Sequence, residues 1–284
     1  MLYDRFINTP GGKVWTGVQD NGDSIPIIVV HGGPGFPHNY LEPLLQIKSR
    51  KVIMYDQLDC GLSEKTGDTN LWTVDRYVEE IRSVVQEIVK ESDYIIYGHS
   101  WGSLLANEYA SKYPQGIKKL IFAGPCLSTD IWIKDTKKLV SLLPTEMQEV
   151  LRLSESTGST DSLEYSEAYA EYIKRYVCRI FPPPECYLES RRGSGDEVYV
   201  YLWGESEIVP NGQLKNYNGT PLLKEIKIPI LFTCGEYDES TPETNYYYAS
   251  LCENAKVKVF KGASHMPHLE SQEDYLESLN SFLK

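Results

Sequence analysis

One stretch of the chain decides the fold, Tyr94-Ile95-Ile96-Tyr97-Gly98-His99-Ser100-Trp101-Gly102. Its first four residues are apolar or aromatic and predict a buried strand. A helix is predicted from Trp101 to Tyr113, where the following Pro114 ends it. A serine on a sharp turn between a strand and a helix, with a glycine two residues away on each side, forms a nucleophile elbow. We therefore predict that the Ser100 hydroxyl projects from the carboxyl edge of a sheet and acts as a nucleophile.

Strands and helices alternate on both sides of this turn. The predicted elements are a hairpin of Tyr3–Asn8 with Lys13–Val18, strands Ile27–Val30, Val52–Tyr55 and Lys119–Phe122, and a helix from Thr73 to Ser92. Short links between strands and helices favour parallel strands with right-handed crossovers. The sequence therefore predicts an α/β fold with a mostly parallel central sheet and helices on both of its faces, which is the α/β-hydrolase fold.

The alternation stops near Leu127 and returns with a strand at Ile228–Cys234, followed by a helix near Thr244–Leu251, a strand at Lys256–Phe260 and a final helix at Ser271–Leu283. Between them we predict helices at 144–154 and 162–180, then a proline run and a polar stretch. We expect a core of residues 1–126 and 211–284, interrupted by a helical insertion of residues 127–210. The second helix carries several tyrosines on one face, which must bury against something. The sheet edge above Ser100 is available to it.

Composition and charge exclude several classes of protein. The chain has 284 residues and a net charge of −12, which repels nucleic acid and anionic membrane surfaces. No apolar run approaches the length of a membrane-spanning helix, and the first ten residues contain no apolar signal segment. We expect a soluble cytoplasmic protein without nucleic-acid or membrane partners. No feature of the sequence indicates an oligomeric state.

The metal-ligating residue types are scattered along the chain. Six cysteines form no CxxC pair, and none of the five histidines belongs to an HExxH motif. His265 and His268 are three residues apart, but Pro267 between them disrupts a helical ligand pair. We predict free thiols, no metal and no cofactor.

A serine nucleophile needs a base and an acid, and in this fold they follow the serine in the order acid, then histidine. Asp238 comes just after the strand Ile228–Cys234, and His265 just after the strand Lys256–Phe260. Both therefore belong to loops at the sheet edge that carries Ser100. The alternatives are His268 for the base, and Glu236 or Glu239 for the acid. Asp56 and Asp59 precede Ser100, and the chain order disfavours them.

A glycine-rich loop, His31-Gly32-Gly33-Pro34-Gly35, follows the strand Ile27–Val30. Glycines there let a backbone N–H turn toward a substrate carbonyl, and we predict that the N–H groups of Gly33 and Trp101 form an oxyanion hole. A phosphate-binding loop is the other possibility, but neither of its glycine patterns is present. His31 is expected to brace the loop.

Five ordered motifs together resemble the proline iminopeptidase family, and within it the tricorn-interacting aminopeptidase type. They are HGGPG at 31–35, YDQ with GLS at 55–63, GHSWGS at 98–103, GEYDESTP at 235–242 and GASH at 262–265. The resemblance runs nearly end to end and is weakest in the insertion. Asp59 stands where the family usually has glycine, and Trp203–Ile208 differs from the family's WGPxEF segment.

The resemblance implies that the insertion is a cap over the active site and that acidic residues bind the α-amino group of the substrate. Glu207, in the segment similar to WGPxEF, and Glu239, directly after Asp238, match the two amine-binding glutamates of the family. An ammonium ion in a partly dry pocket needs nearby carboxylates to offset its desolvation. The other interpretation of Glu207 is a solvated surface charge.

Three functions remain open at this point. The first is a serine aminopeptidase that releases N-terminal proline, or another small or apolar residue, from short peptides. The second is an amino-acid amidase acting on aminoacyl-amides, or a small-molecule esterase, and the absence of Glu207 and Glu239 from the pocket would favour it. The third, a non-catalytic binding protein of the same fold, is disfavoured because a complete serine, acid and histidine set is present.

We predict that Ser100→Ala abolishes turnover without unfolding the protein, because the turn tolerates a small side chain. The rate should fall by several orders of magnitude, roughly 10³-fold or more. Steady-state kinetics beside a thermal unfolding curve measure both effects. Activity within about tenfold of the wild type would remove Ser100 from the nucleophile role.

Overall fold

The framework of the protein is a mixed β-sheet. The computed structural model describes residues 3–90, 92–158 and 160–284. Within them the strands are β1 (Tyr3–Thr9), β2 (Gly12–Asp20), β3 (Ser24–Val30), β4 (Arg50–Tyr55), β5 (Tyr94–His99), β6 (Ile117–Ala123), β7 (Ile230–Gly235) and β8 (Ala255–Phe260). Every strand predicted from the sequence is present, and most extend one to three residues beyond the predicted bounds.

The sheet order is β1-β2-β4-β3-β5-β6-β7-β8. β2 runs antiparallel to its two neighbours, β1 and β4, and all other neighbouring strands are parallel. The predicted hairpin and the mostly parallel sheet are therefore confirmed. β5 lies between β3 and β6, so the turn at Ser100 opens at the centre of the carboxyl edge.

Helices flank the sheet and fill the long connection between β6 and β7. They are α1 (Val74–Val84), α2 (Trp101–Lys112), α3 (Thr129–Val140), α4 (Thr145–Thr157), α5 (Leu163–Tyr176), α6 (Glu185–Arg192), α7 (Asp196–Leu202), α8 (Pro242–Ser250), α9 (Pro267–Glu270) and α10 (Gln272–Leu283). A 3₁₀ segment at His38–Gln46 follows the loop after β3. The Thr73 side chain caps the N-terminus of α1, because it accepts a hydrogen bond from the Arg76 N–H. The predicted helix at 73–92 ends earlier, in a π-helical turn at Val85–Val89.

Two apolar cores lie on opposite faces of the sheet. Successive side chains of a strand point to opposite faces, so Ile28 and Ile96 belong to one core while Ile27 and Ile95 belong to the other. β5 and β7 are buried along their whole length. This double coverage explains why the central strands are continuous apolar runs in the sequence.

Within the described residues, five α-helices, α3 to α7, and a 3₁₀ segment at Thr220–Lys224 occupy the connection from β6 to β7. α4 and α5 match the predicted helices, but the predicted polar stretch after the proline run contains α6 and α7 instead. The buried residue of α6 is Ser190, whose hydroxyl accepts from the Tyr40 N–H at 2.8 Å and donates to the Pro37 carbonyl at 2.9 Å. A helix that docks through a hydroxyl shows no apolar stripe for pattern analysis to find.

Two further findings concern the chain as a whole. All six cysteines lie within the described residues and are free thiols, as predicted. Among the same residues, no helix combines the length and apolar character needed to cross a bilayer.

We expect Gly102→Ala to destabilise the fold strongly. A Cβ at this position would lie 2.2 Å from the Val30 carbonyl oxygen, which is backbone of the buried strand β3 and cannot move aside. Such overpacking should lower the free energy of unfolding by about 3 kcal/mol or more, measured by urea titration.

The matched control for this substitution is Gly67→Ala. Gly67 has φ +63° with no atom within 4 Å of an added Cβ, so the variant should lose only about 1 kcal/mol from backbone strain. Equal losses in Gly102→Ala and Gly67→Ala would contradict the steric explanation.

Candidate active site

The turn at Ser100 is strained and tightly packed. Ser100 has φ 52° and ψ −121°, a backbone conformation that residues other than glycine rarely adopt. A Cβ on Gly98 would lie 2.4 Å from the Gly102 carbonyl oxygen, so the small residues expected on each side are required by contact with backbone. The Ser100 N–H donates to the Ala123 carbonyl at 2.8 Å, which ties the turn to the end of β6.

His265 and Asp238 are brought together from the loops after β8 and β7. Their side chains are joined by a hydrogen bond of 2.7 Å between His265 Nδ1 and Asp238 Oδ1. Asp238 is 1% exposed and also accepts the Ser240 N–H at 2.8 Å. The carboxylate requires a proton on Nδ1, which leaves the lone pair of Nε2 free to accept a proton.

His268, the alternative base, is placed differently. It is 1% exposed, and among the described residues neither ring nitrogen has a hydrogen-bond partner. The ring packs edge-on against His99 and Tyr40, with centroids 5.2 and 5.6 Å apart. Burial lowers the pKa of His268 to about 3. His268 is a neutral ring packed behind the site, and it makes no hydrogen bond to Asp238.

Gly33 and Trp101 both line a small cavity beside Ser100. The cavity has a volume of about 10 Å³, which is room for one oxygen-sized group. The Trp101 indole N–H donates to Gln57 Oε1 at 2.8 Å, and the Gln57 N–H donates to His31 Nε2 at 2.9 Å. His31 therefore braces the glycine loop against the segment after β4, as predicted from the sequence.

Glu207 and Glu239 line the same cleft as Ser100 and His265. The cleft has a volume of about 460 Å³ and takes its walls from the sheet edge and from residues 169–207 of the insertion. Glu239 is 1% exposed, and its Oε1 lies 3.8 Å from His265 Nε2. Glu207 is partly buried, and the Trp132 indole N–H fixes its backbone by donating to its carbonyl at 3.0 Å.

The charges in this cleft shift one another's protonation. Burial raises the pKa of Glu239 well above its usual range, and the neighbouring Glu207 charge raises it further. Burial also raises the pKa of Glu207. For His265, burial favours the neutral ring, but the carboxylates of Asp238, Glu239 and Glu207 outweigh it and raise its pKa to about 9. The ordinary pKa of histidine is about 6.5.

Three tyrosines of α5 hold the acidic side of the cleft. Tyr165, Tyr169 and Tyr172 are stacked, with centroids 5.8 and 6.4 Å apart and ring planes within 9°. The Tyr172 hydroxyl donates to Glu239 Oε2 at 3.2 Å, and the Tyr169 hydroxyl accepts the Glu207 N–H at 3.2 Å. The sequence identified these residues as one face of a helix, but their spacing did not reveal what the hydroxyl groups bind.

The two acids disfavoured by chain order belong to other contacts. Asp56 Oδ1 lies 2.7 Å from His38 Nδ1, behind the glycine loop. Asp59 accepts the Gly67 N–H at 2.9 Å and the Trp72 indole N–H at 2.8 Å. The departure from the family pattern at Asp59 is therefore a structural loop contact.

Comparison with known proteins places the chain in a family. A model of the family described as alpha/beta hydrolase fold matches residues 25–272. The proline iminopeptidase of Heyndrickxia coagulans is 41% identical across 100% of this chain and 99% of its own. That of Clostridium botulinum is 36% identical across 92% of this chain and 90% of its own. The crystal structure of proline iminopeptidase from Mycobacterium smegmatis superposes with a TM-score of 0.92 at 31% identity, covering 99% of this chain and 97% of that one. Matches of this extent in both sequence and structure mean that the chain belongs to the proline iminopeptidase family of α/β-hydrolases.

Proposed function

We propose that the protein is a serine aminopeptidase acting on short cytoplasmic peptides. It hydrolyses the amide bond after an N-terminal proline, or after another small or apolar residue, through an acyl-enzyme. The observation that carries this proposal is the presence of two carboxylates, the partly buried Glu207 and the buried Glu239, in the cleft that also holds Ser100 and His265.

In this mechanism the Ser100 hydroxyl attacks the scissile carbonyl, and His265 Nε2 accepts its proton. Asp238 Oδ1 accepts the hydrogen bond of His265 Nδ1, 2.7 Å away, and stabilises the imidazolium that forms. The carbonyl oxygen enters the small cavity beside Gly33 and Trp101, whose N–H groups stabilise its negative charge. His265 then protonates the leaving amine. Water next attacks the acyl group with His265 again acting as the base, and Ser100 leaves with the returned proton.

The acidic side of the cleft selects a substrate with a free α-amino group. Burial raises the pKa of both carboxylates, and the charge of Glu207 raises the pKa of Glu239 further. A substrate ammonium supplies the missing positive charge and offsets the desolvation of all three groups. Since Glu239 also lies 3.8 Å from His265, an ammonium held there keeps the first carbonyl of the peptide near Ser100. The residue before an internal peptide bond has no free α-ammonium group and therefore lacks this charge.

We assign residues 127–210 to a cap and residues 1–126 with 211–284 to the core. The assignment is supported by the cleft walls, which combine core residues with Tyr169, Tyr199 and Glu207 of the insertion. Trp132, Trp203 and Cys126 complete the lining of the small cavity beside Ser100, which has room for one oxygen-sized group. A cleft of about 460 Å³ suits a short peptide or an aminoacyl-amide.

We expect His265 to act as a base only at a pH above the ordinary pKa range of histidine. The base must be neutral, and its pKa of about 9 means that activity is lost as the pH falls through this value. Glu239→Gln removes a negative charge and should lower this pKa. The reaction of Ser100 with a reagent that carries no amine should then become about tenfold faster at pH 7 for each unit of decrease.

Phenylmethylsulfonyl fluoride is the probe for this measurement, because it reacts with the serine and carries no amine of its own to titrate. The pseudo-first-order inactivation rate is followed from pH 5 to 10. His268→Phe is the control and should keep the wild-type profile, because His268 makes no hydrogen bond within the described residues. If the pH profile of the inactivation rate shifted in His268→Phe but not in Glu239→Gln, His268 would replace His265 as the base.

The most direct test of the aminopeptidase function is the requirement for a free amine. A prolyl arylamide should be hydrolysed, while its N-acetylated form should not, because acetylation removes the charge and adds bulk. Glu207→Gln and Glu239→Gln should each lower kcat/KM by roughly 30-fold to several-thousand-fold, the effect of losing about 2–5 kcal/mol from one buried charge partner.

Glu205→Gln is the matched control for these variants. Glu205 also lines the cleft, but it is exposed and its carboxylate accepts from the Thr160 hydroxyl at 3.3 Å. Its loss should change kcat/KM by less than about threefold. Equal turnover of the N-acetylated substrate, or of a plain acyl ester, would replace the aminopeptidase with an amidase or esterase.

A further inference from the structure

We propose that Tyr40 and His99 are positioning residues, which hold the glycine loop, the Ser100 turn and the His265 loop in one fixed arrangement through a continuous chain of hydrogen bonds. Their hydrogen bonds go to Gly32, to each other and to the His265 carbonyl, while the His99 ring packs beside the His265 ring with centroids 4.6 Å apart. The inference rests on the proposed function in one respect, because it takes Ser100 as the nucleophile and His265 as the base.

Three hydrogen bonds form the chain. The Gly32 N–H donates to the Tyr40 hydroxyl at 2.8 Å. The Tyr40 hydroxyl lies 2.9 Å from His99 Nδ1, and His99 Nε2 lies 2.9 Å from the His265 carbonyl oxygen. Gly32 precedes the oxyanion residue Gly33, and His99 precedes Ser100. Each of the three catalytic loops is therefore attached to the chain at or next to its functional residue.

The partners fix the direction of every proton in the chain. A carbonyl oxygen only accepts, so His99 Nε2 must carry a proton and donate it to His265. Burial holds the pKa of His99 well below its usual range, so the ring is neutral and Nδ1 is an acceptor. The Tyr40 hydroxyl consequently donates to Nδ1 and accepts from Gly32. One arrangement of protons satisfies all the groups, which makes the chain a rigid connection.

The surrounding packing leaves little freedom for these groups to move separately. Tyr40 is fully buried and His99 is 2% exposed. A Cβ added to Gly32 would lie 2.9 Å from the Tyr40 hydroxyl oxygen, 3.1 Å from Ser100 Cβ and 3.2 Å from His99 Nδ1. The glycine loop, the tyrosine and the turn thus meet at one point. A shift of the tyrosine hydroxyl would be passed to the nucleophile through Gly32 and His99.

Tyr40 and His99 line the same cleft as Glu207 and Glu239, but other residues hold those two glutamates. Glu239 is held by Tyr172, and the backbone of Glu207 is held by Tyr169 and Trp132. Loss of the Tyr40 hydroxyl would leave the Gly32 N–H and His99 Nδ1 without partners, and the loops would relax to satisfy them. A displacement of about 1 Å at a reacting group costs about 10²-fold in rate. The effect therefore falls on kcat, and KM is spared.

The test compares Tyr40→Phe with Tyr97→Phe. Tyr97 is a matched control because it is also fully buried, and its hydroxyl forms a 2.8 Å hydrogen bond with Tyr275 away from the three loops. Tyr40→Phe should lower kcat by about 10- to 100-fold with KM within about threefold. Tyr97→Phe should keep kcat within about threefold, at a similar cost in melting temperature.

Substitutions of His99 test the other end of the chain. His99→Gln keeps an N–H donor and an oxygen acceptor and should retain more kcat than His99→Leu, which keeps neither. If His99→Leu does not fold, the kcat of His99→Gln is compared with that of Tyr40→Phe instead. A glutamine side chain can both donate and accept a hydrogen bond, so His99→Gln should have the higher kcat of the two.

Labelling of Ser100 by phenylmethylsulfonyl fluoride, located by mass spectrometry, separates this proposal from the aminopeptidase function. The reagent has no amine, so slow labelling in Tyr40→Phe supports the positioning role even if N-acetylated substrates are hydrolysed. The proposal is overturned by equal kcat losses in Tyr40→Phe and Tyr97→Phe, by a change in KM alone, or by an unchanged labelling rate. A wild-type enzyme labelled at another residue overturns the nucleophile assignment and this proposal together.

Discussion

The crowded backbone around Ser100 is the constraint on which the site depends. The turn holds Ser100 at φ 52°, and there is no room for a side-chain carbon at either Gly98 or Gly102. The obstacles are main-chain carbonyl groups, which belong to the turn itself and to the neighbouring strand β3. The strand order that puts β5 next to β3 and β6 is therefore part of the site. The same crowding recurs at Gly124, where a Cβ would lie 2.6 Å from His265 Nδ1.

The acidic groups of the cleft differ in how well they are compensated. Asp238 is buried with a histidine partner and a backbone N–H, so its charge is well satisfied. Glu239 is equally buried but has the Tyr172 hydroxyl and a second carboxylate as its neighbours. Burial and the Glu207 charge therefore raise the pKa of Glu239 well above its usual range, which favours its protonated form. Functional sites commonly carry such local conflicts while the rest of the fold remains internally consistent.

The sequence predicted the sheet well and the insertion less well, for physical reasons. The strand at 94–97 is covered on both faces, so its burial is visible as a continuous apolar run. α6 was missed because its buried contact is the Ser190 hydroxyl, whose partner Tyr40 lies 150 residues earlier. The serine, acid and histidine candidates follow from chain order and strand ends. The raised pKa of His265 and the chain through Tyr40 and His99 depend on distances between loops that local patterns do not contain.

The last strand of the sheet also bears on how the molecules behave toward one another. β8 has β7 on one side only, so within the described residues the hydrogen-bonding groups along its other side meet no further strand. Such an edge invites pairing with a strand of a second molecule, and proteins commonly discourage it with lysine. Lys256 and Lys258 are both exposed on this short strand. A second copy approaching β8 edge to edge would bring its own lysines against these, so the like charges oppose growth of the sheet from one molecule into the next.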